Sequence, residues 1–542
     1  MLNPRTFDTA MDGVTIHRDT PVHFVGVGGI GMSGLARVLC QAGFQVSGSD
    51  LRKNAQTDEL TSLGARIHQG HSSDVLPQGN DVLGLLVVST AIDTHNPEYV
   101  AAQERGWPII HRSQMLREIL QNPLFGSRLS VGVSGSHGKT STTGMIASGL
   151  DAGGSQPTAV AGGVFPKWQS NAVFGGEQAL AVAELDESDG SLIYFTPDVG
   201  VLLNLEMDHA EHFPGGLGEL KQTLHQFVEN IRALSDSKND SETVHKTLVV
   251  YTGCQELVSV ITPVLDTGIR IIGVGRGTDH CYLPIDKLDA HVVLSNIQVT
   301  QPGCYGADVT CSEWEKPVQL AMTAPGEHQC LNGAIALTAC WAADNTLDLS
   351  KVAAGISAFG GMGRRYEVVG RYQGALLVDD YAHHPTEVKA MLAVGIPQAK
   401  AGNGRFIAVF QPHRYTRLRQ FWDEFMDSLR GASDIIVTDV YEASEPPLSG
   451  ISGKEFANAL KQTYPNETVR YVPHSDWGAL KSELKIELKS GDVVMSIGAG
   501  DITSLLRNWG DPVDECDGET TTVESPLKTQ EEEEKREMEA RM

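Results

Sequence analysis

The sequence predicts an α/β protein built from three domains. The chain has 542 residues, and at roughly 100 to 200 residues per domain this is the length of about three domains. Short runs of β-branched and apolar residues alternate with helix-like stretches from about Val22 onward, a pattern typical of parallel sheets covered by helices. Glycine-rich segments follow two of the predicted strands, as in loops that face phosphate groups.

Composition excludes several classes of protein. Lys and Arg total 42 against 68 Asp and Glu, a formal charge of -26 that disfavours a nucleic-acid partner or an anionic membrane surface. Apolar runs such as residues 82–88 are much shorter than the ~20 residues of a membrane-spanning helix, and residues 1–20 lack the apolar core of a signal peptide. We therefore expect a cytoplasmic protein without membrane insertion, and the sequence leaves its oligomeric state open. The eight cysteines contain no C-x-x-C pair, which favours reduced thiols over disulfides or a zinc cage.

Three blocks are predicted, at residues 1–127, 128–362 and 363–510, followed by an acidic tail at 511–542 that we expect to be disordered. The predicted strands of the three blocks lie at 23–25, 45–47 and 83–88, at 129–133, 180–183 and 199–203, and at 375–378, 406–410, 435–437 and 493–497. The second block also contains a predicted exposed loop at 235–243 and a predicted helix at 330–343.

The first glycine cluster, residues 26–31 (GVGGIG), lies between a predicted strand and the helix-like residues 32–39. Backbone N–H groups at such a helix start can face a pyrophosphate. Asp50 ends the next strand, where a ribose-binding acid is expected. Alone, this pair favours a nicotinamide-dependent dehydrogenase, but any nucleoside diphosphate offers the same charge, and a tight turn without a ligand remains an alternative.

The second cluster, residues 135–143 (GSHGKTSTT), directly follows the predicted strand 129–133. Its Lys139 would place a charge at the β and γ phosphates, and the hydroxyl of Thr140 would lie where Mg²⁺ sits. A generic P-loop requires Gly at position 133, where this chain has Val133. The loop is therefore of a shorter type, and its placement favours ATP binding over a structural turn.

Acidic residues follow two further strands. Glu184 ends one of them and is the better Mg²⁺ ligand, because Mg²⁺ takes one or two carboxylates beside phosphates and water, whereas residues 185–189 are interpreted as a solvated acidic turn. His209 ends the segment 204–209 (NLEMDH). A lone histidine is more often structural than metal-binding, but the adjacent strand ends favour a ligand.

The third block contains the segments 363–367 (GRRYE), 379–387 (DDYAHHPTE) and 410–417 (FQPHRYTR). Clustered arginines suit carboxylates and phosphates because the guanidinium fork donates two parallel hydrogen bonds. The paired histidines before Pro-Thr-Glu are also compatible with a helix N-cap and nothing more.

These motifs, in this order, resemble the Mur ligase family over residues 22–504, most closely its branch that adds L-alanine. The segment 28–34 (GGIGMSG) looks like the family's uridine-diphosphate loop, and Gly138-Lys139-Thr140 is similar to its ATP loop. The resemblance implies a Rossmann-like N-terminal domain, a central P-loop ATPase domain and a Rossmann-like C-terminal domain. It also implies that ATP phosphorylates the carboxylate of UDP-N-acetylmuramate and that the amine of L-alanine then displaces phosphate, an early step of peptidoglycan synthesis.

The resemblance assigns roles to individual residues. The implied contacts to the UDP-sugar are Gly28, Gly29, Ile30, Gly31, Met32, Ser33, Asp50 and Ser89. The implied contacts to ATP are Gly135, Ser136, His137, Gly138, Lys139, Thr140, Ser141, Asn332, Arg364 and Asp380. The implied catalytic residues are Lys139, Glu184, His209, His383, Arg414 and Arg417, of which Glu184 and His209 join Thr140 in holding Mg²⁺.

Three departures from the family pattern stand out: Ser136 replaces Thr, Gln329 replaces Asn, and Ala382 replaces Gly. Only Gln329 puts a predicted contact, that to adenine, in doubt. Two further alternatives stay open at this level: a ligase of the same family that joins a preformed tripeptide, and a non-enzymatic regulator. The first is disfavoured by the loop at 28–34, and the second by the retention of Lys139, Glu184, His209 and His383.

Overall fold

A computed structural model describes residues 16–77, 83–125, 127–176, 179–208, 213–236 and 246–507. Within these residues the chain forms three sheets in chain order, with helices packed on their faces. The predicted α/β class with three domains is therefore confirmed. His209 and the acidic tail at 511–542 lie outside the described residues. None of the helices in the described ranges combines the length and the hydropathy needed to cross a membrane.

The N-terminal sheet has five parallel strands in the order β3-β2-β1-β4-β5. Its strands are β1 (Val22–Val25), β2 (Val46–Asp50), β3 (Arg66–Gln69), β4 (Leu85–Val88) and β5 (Ile109–His111), and its helices are α1 (Ile30–Gln41), α2 (Ala55–Ser62), α3 (Pro97–Glu104) and α4 (Arg112–Gln121). The strand order reverses between β1 and β4. In open parallel sheets such a switch point opens a crevice at the carboxyl ends of the strands, and the first glycine loop follows β1 at this crevice.

The central sheet has ten strands in the order β15-β14-β13-β12-β11-β10-β6-β9-β7-β8. These are β6 (Ser127–Ser134), β7 (Thr158–Phe165), β8 (Ser170–Val173), β9 (Ala179–Glu184), β10 (Val199–Leu202), β11 (Thr247–Tyr251), β12 (Arg270–Arg276), β13 (Ala290–Gln301), β14 (Cys304–Cys311) and β15 (Val318–Ala321). The helices are α5 (Lys139–Ala152), α6 (Leu217–Asp236), α7 (Val258–Ile261), α8 (His328–Ala343) and α9 (Leu349–Ser357). The predicted loop 235–243 is wrong at its start, because its first two residues complete the last turn of α6.

The C-terminal sheet has six strands in the order β16-β17-β21-β18-β19-β20, and only β16 is antiparallel to its neighbour. Its strands are β16 (Glu367–Tyr372), β17 (Ala375–Asp380), β18 (Phe406–Phe410), β19 (Asp434–Val437), β20 (Val469–Tyr471) and β21 (Val493–Ile497). Its helices are α10 (Pro385–Ala401), α11 (Tyr415–Gln420), α12 (Trp422–Ser428), α13 (Gly453–Thr463), α14 (Trp477–Glu487) and α15 (Thr503–Leu506).

The predicted strands all overlap observed strands because their apolar runs are buried, whereas other strands, such as β3 and β15, were not predicted. The side chains of β1, β4 and β18 are buried along the whole strand, as expected for parallel strands covered on both faces. One apolar core runs from the N-terminal sheet into the central domain and includes Phe24 and Leu35 on one side and Ala172 and Leu185 on the other. The seven cysteines among the described residues are all free thiols, as predicted.

Candidate active site

The carboxyl ends of strands from all three sheets face one large cavity of about 1170 Å³. The predicted site residues that line it are Ile30, Ser136, Lys139, Thr140, Glu184, Arg364 and His383. They come from all three domains and from five separate segments of the chain. The cavity therefore brings together the predicted diphosphate loop, the predicted ATP loop and the segments 363–367 and 379–387.

The ATP loop joins β6 to α5 through Gly138, whose φ of +86° lies in the left-handed region that favours glycine. Helix α5 begins at the next residue, so its free N–H groups face the loop and form a site for an anion. The side chain of Asn204 brackets the loop, because its Oδ1 accepts a hydrogen bond from the His137 N–H (2.8 Å) and its Nδ2 donates to the His137 carbonyl (2.9 Å). The loop is thus held open by the end of β10.

Lys139 is held at the mouth of this loop. Its Nζ donates to the Gly135 carbonyl at 2.7 Å and lies 2.8 Å from Oε2 of Glu187. Burial lowers the pKa of this ammonium group, but the carboxylates of Glu187, Asp186 and Glu184 outweigh that effect and raise it above its usual value. Lys139 therefore stays charged at neutral pH.

Thr140 and Glu184 form the oxygen pair that the sequence predicts for Mg²⁺. The Thr140 hydroxyl donates to Oε1 of Glu184 at 3.1 Å, while the Gly162 N–H donates to Oε2 at 2.7 Å. A hydroxyl and a carboxylate beside a phosphate loop are the hard oxygen donors that Mg²⁺ prefers. The third predicted ligand, His209, lies outside the described residues.

The interpretation of residues 185–189 as a solvated turn is wrong. Glu187 is 3% exposed, since it is the ion-pair partner of the buried Lys139. The carboxylates of Asp186 and Asp189 lie 3.4 and 3.5 Å from Nη2 of Arg112. The acids look solvated in the sequence because their cationic partners lie far away along the chain.

Arg112 is a further candidate site residue, which was not among those predicted from the sequence. It begins α4, directly after β5, and its Nη1 lies 3.1 Å from the position that a Cβ on Gly31 would occupy. Arg112 thus joins the first glycine loop to the acids that follow β9. The available signal was its position after a strand of the parallel sheet, where ligand-binding residues concentrate.

The first glycine loop is hydrogen-bonded to Asp50, the acid predicted to bind the ribose. The Gly28 N–H donates to Oδ2 of Asp50 at 2.9 Å, and the Gly28 carbonyl accepts from Nδ2 of Asn54 at 3.0 Å. Asp50 therefore also has a structural task in this loop. Of the other predicted contacts, Gly29 is the N-cap residue of α1, Ile30 is partly exposed at the cavity, Met32 and Ser33 are buried in α1, and Ser89 follows β4.

Asn332 and the departure at Gln329 lie together on α8. Nδ2 of Asn332 donates to Oε1 of Gln329 at 3.2 Å. The Oδ1 atom of Asn332 lies 3.2 Å from the position of a Cβ on Gly138. Asn332 is thus placed against the ATP loop, and Gln329 orients it.

Asp380 and Arg364 belong to the segments around β17. Asp380 accepts hydrogen bonds from the N–H groups of Tyr366 (2.6 Å) and Ala382 (2.7 Å), and burial raises its pKa to about 6. Arg364 donates to the Gly498 carbonyl at 2.7 Å and lines the large cavity. The predicted contact of both residues with ATP stays a prediction.

The two adjacent histidines, His383 and His384, have different roles in the structure. His384 is the N-cap of α10, which is the alternative that the sequence left open. His383 instead lines the large cavity, with Nδ1 2.9 Å from the Tyr381 carbonyl. Burial lowers the pKa of His383 to about 4, against the opposing effect of Glu387. Its imidazole is therefore neutral at pH 7.

The two predicted arginines after β18 differ in their surroundings. Arg414 precedes α11 with a φ of +66° and donates its N–H to the Tyr441 carbonyl. Arg417 is 5% exposed and reaches back to Asp208 of the central domain. A further pair, Arg365 and Glu387 at 3.3 Å, lines the large cavity and was not among the predicted site residues.

Comparisons with known proteins agree with this arrangement. Residues 21–123 match the family "Mur ligase family, catalytic domain", residues 133–340 match "Mur ligase middle domain", and residues 364–500 match "Mur ligase, glutamate ligase domain". The UDP-N-acetylmuramate–L-alanine ligase of Geotalea daltonii is 35% identical over 489 residues, which cover 89% of this chain and 95% of that protein. The enzyme of the same name from Geobacter sulfurreducens is 35% identical over 485 residues, covering 89% and 95%.

Solved structures share the fold. The UDP-N-acetylmuramate-alanine ligase of Thermotoga maritima aligns with a TM-score of 0.69 at 24% identity, covering 90% of this chain and 97% of that one. A murein peptide ligase from Psychrobacter arcticus aligns with a TM-score of 0.61 at 20% identity, again covering 90% and 97%. With three family domains in order and relatives of this identity over most of the chain, the protein belongs to the Mur ligase family.

Proposed function

We propose that this protein joins L-alanine to the carboxylate of UDP-N-acetylmuramate at the expense of ATP, through an acyl phosphate. The observation that carries the proposal is the 35% identity to enzymes of that name over 89% of the chain. A cavity lined by all three domains supports it, because the reaction must hold a nucleotide sugar, ATP and an amino acid together. The alternative, a dehydrogenase, would leave the second and third domains without an explained function.

ATP fits the loop of the central domain. Gly138 in a left-handed conformation, the start of α5 and the charged Lys139 provide what the β and γ phosphates require. Mg²⁺ fits Thr140 and Glu184, whose oxygens lie 3.1 Å apart. When bound, Mg²⁺ neutralises phosphate charge. We assign His209 as its third protein ligand, as the family resemblance implies.

The first half-reaction activates the acid. A carboxylate is a poor electrophile because its negative charge repels a nucleophile, so its oxygen takes the γ-phosphoryl group and ADP leaves. Catalysis of such a transfer consists mostly of positioning and charge neutralisation. In this proposal Lys139 stabilises the charge that develops between the β and γ phosphates, and Asn332, Arg364 and Asp380 position the nucleotide.

The second half-reaction forms the amide. The amine nitrogen of L-alanine attacks the acyl carbon, and the bond from that carbon to the phosphate oxygen breaks, so phosphate leaves with the electron pair. The ammonium form of alanine must first lose a proton. The neutral imidazole of His383 lines the cavity, where it can accept a hydrogen bond from the amine. Arg414 and Arg417 would place the alanine carboxylate and steady the transferring groups.

Several other assignments rest on the same proposal. The first glycine loop, Asp50 and Ser89 would hold the uridine diphosphate. Arg112 would contribute a cation between this loop and the acids after β9. We place the domain boundaries near residues 127, 362 and 510, of which the first coincides with the start of β6 and the second lies between the central and C-terminal sheets. We place the reaction in the cytoplasm.

The test is phosphate release by the purified protein, with the product identified by mass. We expect release only when ATP, UDP-N-acetylmuramate and L-alanine are all present. The rival from the same family is addressed by replacing L-alanine with the tripeptide L-alanyl-γ-D-glutamyl-meso-diaminopimelate. Faster release with the tripeptide would favour that rival, and release that is indifferent to both amines would overturn the proposal.

A further inference from the structure

A cluster of possible metal ligands lies outside the proposed Mg²⁺ pair. It consists of His137 in the ATP loop, Glu206 after β10 and His384 at the start of α10. One potential ligand atom from each side chain lies within 4.8 Å of the other two. The cluster therefore spans the contact between the central and C-terminal domains.

Two of the three distances between these atoms are close to those of a tetrahedral site, and the third is at most 4.8 Å. Nε2 of His137 lies 3.4 Å from Oε2 of Glu206, and Nδ1 of His384 lies 3.7 Å from the same oxygen. Zn²⁺ binds His nitrogen and carboxylate oxygen at ~2.0–2.2 Å, so neighbouring ligand atoms in a tetrahedron are about 3.3–3.6 Å apart. The cluster needs only small side-chain shifts to surround an ion.

The surrounding groups orient the ligands. Nδ1 of His137 lies 3.4 Å from Oε1 of Glu387, which leaves Nε2 to face Glu206. Nε2 of His137 is buried and makes no hydrogen bond with the part of the chain that the structure describes. The Thr386 hydroxyl donates to Oε2 of Glu206 at 2.7 Å. A carboxylate behind a histidine and a hydrogen bond to the ligating carboxylate are the supports that protein metal sites use.

The His384 ring is fixed as well, and its Nδ1 accepts the N-cap hydrogen bond from the Thr386 N–H at 3.4 Å, which an ion bound at Nδ1 would displace. The residue is 4% exposed, and its ring packs against that of Phe421 at 4.6 Å between centroids and against that of His137 at 4.7 Å. A neighbouring cavity of about 550 Å³ leads to Glu206 and His384 and carries the acids Asp423, Glu424 and Asp427. A cation thus has an entry path with favourable charge.

We propose that His137, Glu206 and His384 bind one divalent transition-metal ion of the Zn²⁺ class, separate from the Mg²⁺ pair at Thr140 and Glu184. Two histidines and one carboxylate form a set that selects Zn²⁺ or Co²⁺ over Mg²⁺, which prefers oxygen ligands. The ion ties the ATP loop to the first turn of α10. Its binding stabilises the contact between the central and C-terminal domains.

The test uses the full chain without a histidine tag, stripped with a chelator and kept in excess Mg²⁺. Co²⁺ is the probe, because its visible absorption reports four-coordinate nitrogen and oxygen ligation. We expect one Co²⁺ per chain, displaced by Zn²⁺, and a rise in the melting temperature when Zn²⁺ is added. No saturable Co²⁺ signal, or one dominated by thiolate charge transfer, would overturn the proposal.

Ligand variants locate the ion. Glu206→Gln, His137→Asn and His384→Asn should each weaken Co²⁺ binding at least tenfold, and asparagine at 384 preserves the N-cap of α10. Thr386→Val removes no ligand and should weaken binding by roughly tenfold. His291→Asn, a histidine of β13 in the central sheet, and Glu184→Gln serve as controls and should leave the affinity unchanged.

The outcomes separate this site from the proposed ligase activity, since the readout is binding without substrates. Loss of the Co²⁺ signal in the first three variants but not in the controls supports the site. A signal that survives all three, or one that is lost in Glu184→Gln, contradicts it. Should any ligand variant fail to fold by circular dichroism, Thr386→Val and the controls still decide between these outcomes.

Discussion

Arg417 of the C-terminal domain donates hydrogen bonds from Nε and Nη2 to one carboxylate oxygen of Asp208 in the central domain, at 3.1 and 2.6 Å. The two side chains are 5% and 8% exposed. Nη1 of the same guanidinium lies 3.2 Å from Nδ1 of His413. The buried pair thus joins the segment after β10 to the segment after β18, at one wall of the large cavity.

Asp208→Asn should destabilise the protein, because it leaves the buried guanidinium of Arg417 without its counter-charge. Removing one partner of a buried pair costs about 3–5 kcal/mol, and we expect the melting temperature to fall by several degrees. The matched control is Asp427→Asn, since Asp427 and its partner Arg430 are both more than half exposed. There we expect about 0.5 kcal/mol or less. Equal effects of the two substitutions would show that burial does not strengthen the Arg417 pair.

Lys139→Ala should lower kcat at least a hundredfold, because it removes a preorganised charge from the transferring phosphate. It also leaves the buried Glu187 without its ion-pair partner. Steady-state phosphate release measures the effect. The double substitution Lys139→Ala with Glu187→Gln restores neutrality, so it should recover thermal stability without recovering turnover. Recovery of turnover as well as thermal stability would show that Lys139 acts through folding and not through catalysis.

Gly138→Ala should weaken ATP binding more than it weakens the fold. Its φ of +86° is strained for alanine, and the new Cβ would lie 3.2 Å from Asn332. Gly154→Ala is the matched control, because its φ is +93° but nothing lies within 4 Å of a Cβ there. Both should lose about 1–2 kcal/mol of stability from backbone strain, whereas only Gly138→Ala should raise the Kd of ATP, measured by calorimetry.

His111 should make the stability of the protein depend on pH. Burial lowers the pKa of His111 from 6.5 to about 4, so below pH 6.5 the unfolded chain binds a proton that the folded chain does not. His111 therefore does not lower the free energy of unfolding above pH 6.5. Below pH 6.5 the free energy of unfolding decreases as the pH falls towards 4, and this decrease is about 2 kcal/mol at pH 5.

His111→Asn tests this relationship, because asparagine preserves the N-cap of α4. Urea midpoints at pH 7.5 and pH 5 should differ less in the variant than in the wild type. The same difference in both proteins would assign the acid sensitivity to other groups.

Much of the fold could be predicted because local signals determine it. The apolar runs of β18 and β21 were predicted to the residue, and β6, β9 and β17 to within two residues at each end. The helix after each glycine loop was also predicted. Burial on both faces of a parallel sheet requires a continuous apolar run, which is visible in a sequence.

Site residues could be predicted where a short sequence motif contains the functional groups. They were missed where the side chain with which they interact lies far away in the sequence. Lys139, Thr140 and Glu184 belong to such motifs and meet as expected. Glu187 was interpreted as solvated because nothing near it in the chain indicates its pairing with Lys139. Arg112 was missed because its carboxylate partners follow it by more than 70 residues.

The sequence by itself determined the α/β class, the order of three sheets, the two phosphate-facing loops and the membership of a ligase family, because each depends on residues that are adjacent in the chain. Only the tertiary structure decided which of the two histidines at 383 and 384 faces the cavity and that Arg417 pairs with Asp208. It also placed His137, Glu206 and His384 in one cluster. These contacts join strand ends from different sheets, and their distances depend on how the domains pack.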